Sequence, residues 1–444
     1  MYNIGTAAQA PCPYFSSFEQ IGLRNSSRPG GKDRQQTAKM IDTIKPTISF
    51  INQQRVLYLL RTGGPLSRAE ISRLTGLTKA TVSKIVDELE RNNIIEALGQ
   101  VANVRGRPSM LYGYNASSAL ALGIEITQKE CRGVVTQMDA SPLKSYTVPL
   151  SNTRAEVVIA AIQNIQDDVG RDFSNPLVGI GIGVPGVCDE QRETVVYSER
   201  LNWNMLPLVR MIREHVDLDV YVENRANAAA LGERWLGAGQ ETENSIFIHI
   251  GSGIKAGIIL NGELYIGGNG AAGEIGHIVI AQDGPLCVCG KRGCLEALAS
   301  TTAMREHVMG LLQNGRAEQL AERLGARVDS LTIGDLLEAA NDGDKTALKV
   351  LKESARYIGS AVAILVNVFN PQQVILGDFA NHAPGIFLET VRETAAQQSF
   401  EVPWRGVEIS TSKLGHQSVS IGAAALLLSK DFQRMQARAA IDSV

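Results

Sequence analysis

Cysteine is scarce in this chain, with six in 444 residues, and a disulfide framework of the kind that staples small secreted scaffolds is thereby excluded. Long apolar runs are missing too. No stretch approaches the roughly 18 apolar residues of a membrane-spanning helix, and residues 1–11 lack the basic-then-apolar order of a secretion signal, so the expected location is cytoplasmic with no membrane insertion. Neither sign of charge dominates: the net charge is −3 with 20% charged residues, unlike a polyelectrolyte tail. No simple short-period repeat is visible. What remains is an ordinary globular composition, 44% hydrophobic, long enough for a small domain and a large one.

The few cysteines are unevenly spread. Cys12, Cys131 and Cys188 are scattered and read as buried thiols, but Cys287, Cys289 and Cys294 fall within one short segment that opens at His277. Thiolates and imidazole are zinc's preferred donors, and Cys₃His closes a tetrahedral site. Pro285, Gly284, Gly290 and Gly293 supply the turns that fold three sulfurs back on one ion. Four protein ligands leave no position for water, so the zinc expected here is structural. Glu274 and Glu296 flank the segment, and a metal that fixes the loop also fixes those acids beside a small-molecule pocket.

Charge is as unevenly distributed as sulfur. Residues 1–115 hold 15 Lys and Arg against 8 Asp and Glu, so a basic head precedes a body that carries −10. Such a head faces a polyanion. Residues 1–45, rich in Gly, Ser, Pro and Gln, show no apolar period and are expected to be disordered, either as a basic arm on DNA or as sequence ahead of a start at Met40. From Asn52 the pattern is helical, with Val56, Leu59 and Leu60 on one face before the Gly63-Gly64-Pro65 break. Ser67-Arg68-Ala69-Glu70 is a capping box that opens a second helix, and Gly76 turns the chain. A third helix from Thr78 buries Val82, Ile85, Val86 and Leu89 at i, i+3, i+4, i+7. Its other face offers Lys79, Thr81, Ser83 and Lys84 to a major groove. Apolar runs at Ile94–Leu98 and Met110–Tyr114 bracket a basic loop with Arg105 and Arg107, a wing suited to a minor groove. Residues 46–115 thus read as a winged helix-turn-helix with Ser67, Thr78, Lys79, Thr81, Lys84, Arg105 and Arg107 against operator DNA.

Residues 116–444 alternate strands and helices, hence an α/β body. Strands are expected at Leu122–Ile126, Leu177–Val184, Val220–Glu223, Ser245–Ile250, Ala256–Leu260, Val374–Leu376 and Val407–Ser410. Helices are expected at Ala226–Trp235, Ala347–Phe369 and Ser420–Leu428. Gly251-Ser252-Gly253 is a turn able to approach a ligand closely.

Four segments of this body resemble the ROK family of repressors and sugar kinases: Gly181-Ile182-Gly183-Val184-Pro185-Gly186, the run Glu223-Asn224 to Gly232-Glu233, Gly273-Glu274-Ile275-Gly276-His277, and Cys287 to Glu296. The resemblance spans roughly residues 50–430. It implies a two-lobed, duplicated actin-like or ribonuclease-H-like body that binds a sugar in its cleft, through Asn224, Glu274, His277 and Glu296 here. Members that begin with a winged helix are similar to xylose-, glucose- and N-acetylglucosamine-responsive repressors.

Three departures from the kinase pattern imply a sensor and not an enzyme. The first strand leads into Thr127-Gln128-Lys129-Glu130, where the kinases carry a Gly-Gly-Thr phosphate loop. Lys255 stands where the second phosphate motif tends to have glycine. Arg225 stands where the kinases place the Asp that takes the sugar's proton, and a guanidinium cannot accept it. Arg225 also suits an effector with a carboxylate or phosphate. The expectation is a repressor of carbohydrate genes, a homodimer or homotetramer on palindromic operator DNA, released by a sugar or sugar derivative. Two other readings stay open: a sugar kinase with an added DNA-binding head, and a body that docks a membrane transporter component.

Overall fold

The computed structural model describes residues 52–101 and 108–428, apart from 54, 58, 62 and 241. The expectations for residues 1–45, and for Arg105 and Arg107 at the wing tip, lie outside the described residues.

The head begins with α1 (helical at 55–57 and 59–61), which ends where the Gly63 amide donates to the Leu59 carbonyl. β1 (Leu66–Ser67) leads into α2 (Arg68–Thr75). Both halves of the expected capping box form, and Gly76 ends the helix in the left-handed conformation at φ 71°, a geometry that glycine adopts at no steric cost. α3 (Lys79–Arg91) is capped by the Thr78 side chain. β2 (Ile95–Val101) and β3 (Ser109–Tyr114) form the antiparallel wing, and β1 joins it in the order β1-β3-β2. Val56, Leu60, Ile71, Val82, Ile85, Val86 and Leu89 make one core.

The first lobe opens with β4 (Leu120–Ile126), β5 (Glu130–Gln137) and β6 (Pro142–Pro149), an antiparallel meander. After α4 (Ala155–Asp172), β7 (Leu177–Val184) returns parallel to β4. A small sheet follows, of β8 (Val187–Cys188), β9 (Val195–Ser198) and β10 (Trp203–Leu206). After α5 (Leu208–Arg213), β11 (Asp219–Asn224) completes the order β11-β7-β4-β5-β6. β4 is buried along its whole length, as its nearly continuous apolar run requires of a strand covered on both faces.

The second lobe repeats that topology. α6 (Arg225–Leu236) precedes β12 (Ser245–Ile250), β13 (Ile254–Leu260) and β14 (Glu263–Tyr265), again an antiparallel meander. A helical insertion follows: α7 (Leu295–Ala299), α8 (Thr301–Gln313), α9 (Glu318–Leu324), α10 (Ile333–Asn341) and α11 (Lys345–Phe369). β15 (Gln373–Asp378) then pairs parallel with β12. α12 (Gly385–Gln398), α13 (Glu401–Trp404) and β16 (Glu408–Thr411) follow, giving the order β14-β13-β12-β15-β16. α14 (418–428) closes the described chain.

Each lobe's last helix serves the other lobe. α6 leaves β11 and packs on the second sheet, where Ala229 and Ala230 join a core with Phe247 and Ile259. α14 leaves β16 and covers the first sheet, its Ser420 and Ala423 carbonyls lying against Gly123 and Gly181. The two helices cross where both carry glycine: a Cβ on Gly232 would stand 3.1 Å from the Gly422 nitrogen, and one on Gly422 would collide with the Ala228 carbonyl. The small residues of both helices therefore exist to let two backbones touch at the lobe junction. No helix among the described residues is long and apolar enough to cross a membrane.

Candidate functional sites

Lys79 and Lys84 are exposed on α3, and Thr81 is half-buried. Thr78 Oγ1 lies 2.9 Å from Thr81 Oγ1, so the two hydroxyls pre-order each other at the helix start. Ser67 is placed differently. It is 5% exposed, and its hydroxyl is committed to Glu70 at 2.7 Å, a commitment that also draws the Glu70 carboxyl below its usual range. Arg68, unremarked in the sequence, reaches the Tyr112 hydroxyl at 2.8 Å and Asp87 at 2.6 Å, tying wing to recognition helix.

The four expected metal donors converge. Cys289 Sγ and Cys294 Sγ are 3.6 Å apart, His277 Nδ1 and Cys287 Sγ are 3.7 Å apart, and all four donor atoms lie within 4.8 Å of one another. Tetrahedral zinc with Zn–S of about 2.3 Å places its donors roughly 3.6–3.8 Å apart, so the cluster fits such an ion. Positive φ at Gly290 (85°) and Gly293 (68°) makes the reversals. The Lys291 backbone amide draws the Cys289 thiol below its ordinary range, whereas burial pushes Cys294 up to about 12.

The flanking acids act on the second lobe's Gly-rich turn. Glu296 accepts from the Ile254 amide at 2.9 Å, and Glu274 holds the Lys255 ammonium. Lys255 thus fills the space a glycine would leave. Asn224 faces from the first lobe but is heavily committed: Oδ1 caps α6 through the Ala226 amide at 2.8 Å, and Nδ2 donates to the Gly186 carbonyl at 2.5 Å. Beside it, Glu223 is buried against Arg192 at 2.8 Å.

A charge network spans the cleft that no sequence motif announced. Arg225, at the first turn of α6, lies 3.0 Å from Glu125 at the end of β4 and 3.8 Å from Asp378 at the end of β15. Arg132 on β5 lies 3.5 Å from the other oxygen of Glu125 and 2.6 Å from Glu130. Glu125 is 2% exposed; a lone carboxylate there would be costly, and two guanidiniums offset the cost. His249 on β12 bonds Asp378 through Nδ1. Burial raises the Asp378 carboxyl, but His249, Arg225 and Arg132 outweigh it and hold it at about 2. A second link joins the lobes, from Arg200 Nη2 to the Ser252 carbonyl at 2.7 Å. In the turn after β4, Thr127 Oγ1 accepts from the Lys129 and Glu130 amides at 3.2 and 3.0 Å, so amides that a phosphate loop would present are already satisfied.

The sequence model of the ROK family matches residues 121–430, and that of the MarR family matches residues 48–100. The xylose repressor of Caldicellulosiruptor bescii is 32% identical over 383 residues, which cover 85% of this chain and 96% of that protein. A solved ROK family transcriptional regulator, described as a homolog of the E. coli MLC protein, superposes with a TM-score of 0.78 at 28% identity, covering 89% of this chain and 100% of its own. The ROK family glucokinase from Streptomyces griseus, solved with glucose and AMPPNP, superposes with a TM-score of 0.62 at 30% identity, covering 69% of this chain and 99% of its own. The two-lobed architecture is common to both, and the regulator's match extends over a larger share of this chain.

Proposed function

The chain belongs to the ROK family, and on that premise we propose that it is a sugar-responsive DNA-binding transcriptional repressor whose body senses a ligand and performs no phosphoryl transfer. Residues 46–115 bind operator DNA in the cytoplasm as part of a homodimer or homotetramer, with Lys79, Thr81 and Lys84 in the major groove and the wing, with Arg105 and Arg107, at the minor groove. Residues 116–444 hold the sugar between two lobes, with Glu274, His277 and Glu296 on one side and Arg225 with Asn224 on the other.

The observation that carries this reading is Arg225 bridging Glu125 and Asp378 at the cleft floor. Phosphoryl transfer needs a base there, and Arg225 cannot accept a proton. Asp378, held at about 2, is too weak a base to replace it. A glucokinase-like fold with its proton acceptor replaced retains the hinge and loses the chemistry.

Zinc held by His277, Cys287, Cys289 and Cys294 is structural: it closes the loop from which Glu274 and Glu296 project and supplies no open coordination position. Ligand binding shifts the lobe angle, and α6 carries that shift from Arg225 to its last turn, beside the DNA-binding head. A coupling of about 1–3 kcal/mol changes DNA affinity roughly 5–150-fold.

The test is phosphoryl transfer measured alongside DNA binding. Purified protein should bind DNA from upstream of its own gene and leave ATP unconsumed with hexoses, hexosamines and pentoses, and Lys84→Ala should weaken DNA binding and lower the salt dependence by about one charge. Sugar-dependent ATP turnover would establish the kinase instead.

A further inference from the structure

We propose that the effector is an anionic sugar derivative, a sugar phosphate or a sugar acid, whose charged group sits among Lys129, Arg132, Arg200 and Arg225. This rests on the sensor reading above and adds the ligand's chemical class.

A cavity of about 250 Å³ opens between the turn after β4, the Arg200 segment and the Ser252 turn, and Lys129, Arg132, Arg200 and Arg225 all line it, with Glu130 as the one acid among its lining residues. Four cations around one small volume repel one another, and only part of that repulsion is met from within the protein. Glu125 and Glu130 serve Arg132 and Arg225. Lys129 and Arg200 form no ion pair among the described residues; the Arg200 guanidinium spends one nitrogen on a neutral carbonyl, that of Ser252. Arg225 is itself incompletely satisfied, since its Nε is buried without a hydrogen-bond partner.

A neutral sugar gives such a site little to bind. Hydroxyls pair well with the carboxylates and imidazole at Glu274, Glu296 and His277, whereas planar guanidiniums converging from a strand (Arg132), a turn (Arg200) and a helix start (Arg225) match the oxygen geometry of phosphate or carboxylate. Cavity size narrows the class. About 250 Å³ lies below the usual range of roughly 300–1,000 Å³ for whole small-molecule sites, enough for one charged group and the end of a sugar. With the Lys129 and Glu130 amides already bonded to Thr127, side chains must hold the anion, which distinguishes this site from one that wraps a triphosphate in backbone amides. Because Arg200 bonds Ser252 across the lobes and Arg225 reaches Asp378, an anion seated here competes with contacts that bridge the cleft and so reports its presence to the lobe angle.

The experiment is isothermal titration of the full-length protein with neutral hexoses, pentoses and hexosamines, their phosphates, the corresponding uronic acids, inorganic phosphate and ATP. The expected result is one acidic sugar that binds at least about tenfold more tightly than its neutral parent, as charge-assisted hydrogen bonds allow, with an affinity that falls as salt rises. Lys129→Ala, at an exposed position, and Arg200→Gln should each shrink that ratio several-fold. A neutral sugar binding as tightly as its acidic derivative overturns the proposal and leaves the sensor reading standing. A ratio untouched in both variants also overturns it, as does inorganic phosphate or ATP binding as tightly as any acidic sugar. If no sugar of either kind binds, the sensor reading itself falls.

Discussion

The Arg61 guanidinium lies 3.9 Å from the centroid of the Trp235 indole ring. This contact joins α1 of the DNA-binding head to the last turn of α6, the helix whose first residue is Arg225. One rigid element therefore touches the cleft at one end and the head at the other. The buried Glu233 fixes its far end, accepting from the Leu414 amide at 3.1 Å and the Ala238 amide at 2.8 Å. Cation–π contacts contribute about 0.5–2 kcal/mol, similar to the coupling a switch needs. Trp235→Ala should leave sugar affinity close to wild type and cut the effector-induced change in DNA affinity to about threefold or less. Ligand-responsive anisotropy on operator DNA measures this, and a full response in the variant would show that the signal travels elsewhere.

Metal removal should act on stability. Zinc bound at His277 and the three thiolates is expected at one ion per chain, and Cys289→Ser, or a strong chelator, should lower the melting temperature by about 5 °C or more, because metal binding energy at a structural site is folding energy. Sugar affinity should weaken with it, since Glu274 and Glu296 lose their anchor. An unaltered melting curve in the serine variant would remove the structural role assigned to the cluster.

The helix crossing at Gly232 and Gly422 leaves no room for a side chain. Gly422→Ala drives a methyl into the Ala228 carbonyl, and overpacking of this kind costs about 1–3 kcal/mol or more. Thermal unfolding should show the loss. Gly310→Ala on α8, with open space around its Cβ position, is the matched control and should be neutral or slightly stabilising through helix propensity.

Asp378 gives a pH signature. Its carboxyl titrates at about 2 in the folded chain, against about 3.9 for an unperturbed Asp. A depressed carboxyl contributes stability that is complete above the unfolded value and is lost as pH falls from about 4 to about 2. Asp378→Asn should be less stable at neutral pH and should flatten the stability profile in that window. Equal slopes in variant and wild type would detach the network from folding.

Local chemistry made much of this molecule legible in advance. The Ser67 capping box, the buried stripe of α3 and the strands at Leu177–Val184 and Ser245–Ile250 follow from short-range rules and lie where expected. The Cys₃His cluster was readable because its donors are close in sequence. Edge strand β6 is largely exposed, and its apolar alternation is confined to Tyr146 and Val148 beside Pro149, too short a pattern to mark a strand; α4, with buried Val158, Ile162 and Ile165, lies in a stretch for which the sequence reading names no element. The cleft network was illegible for a different reason. Glu125, Arg225, His249 and Asp378 come from four strand or helix ends up to 253 positions apart, and only the duplicated topology brings them together. Asn224 shows the converse: a motif names the residue, but its cap on α6 and its bond to Gly186 appear only in three dimensions.

The most direct test of the central claim is fluorescence anisotropy of the full-length protein on DNA from upstream of its own gene, at fixed salt, titrated with neutral and acidic sugars. The expected result is specific binding that one sugar or sugar derivative weakens by roughly 5–150-fold. Tight binding that no member of the panel alters would contradict the assignment of the cleft as an effector site.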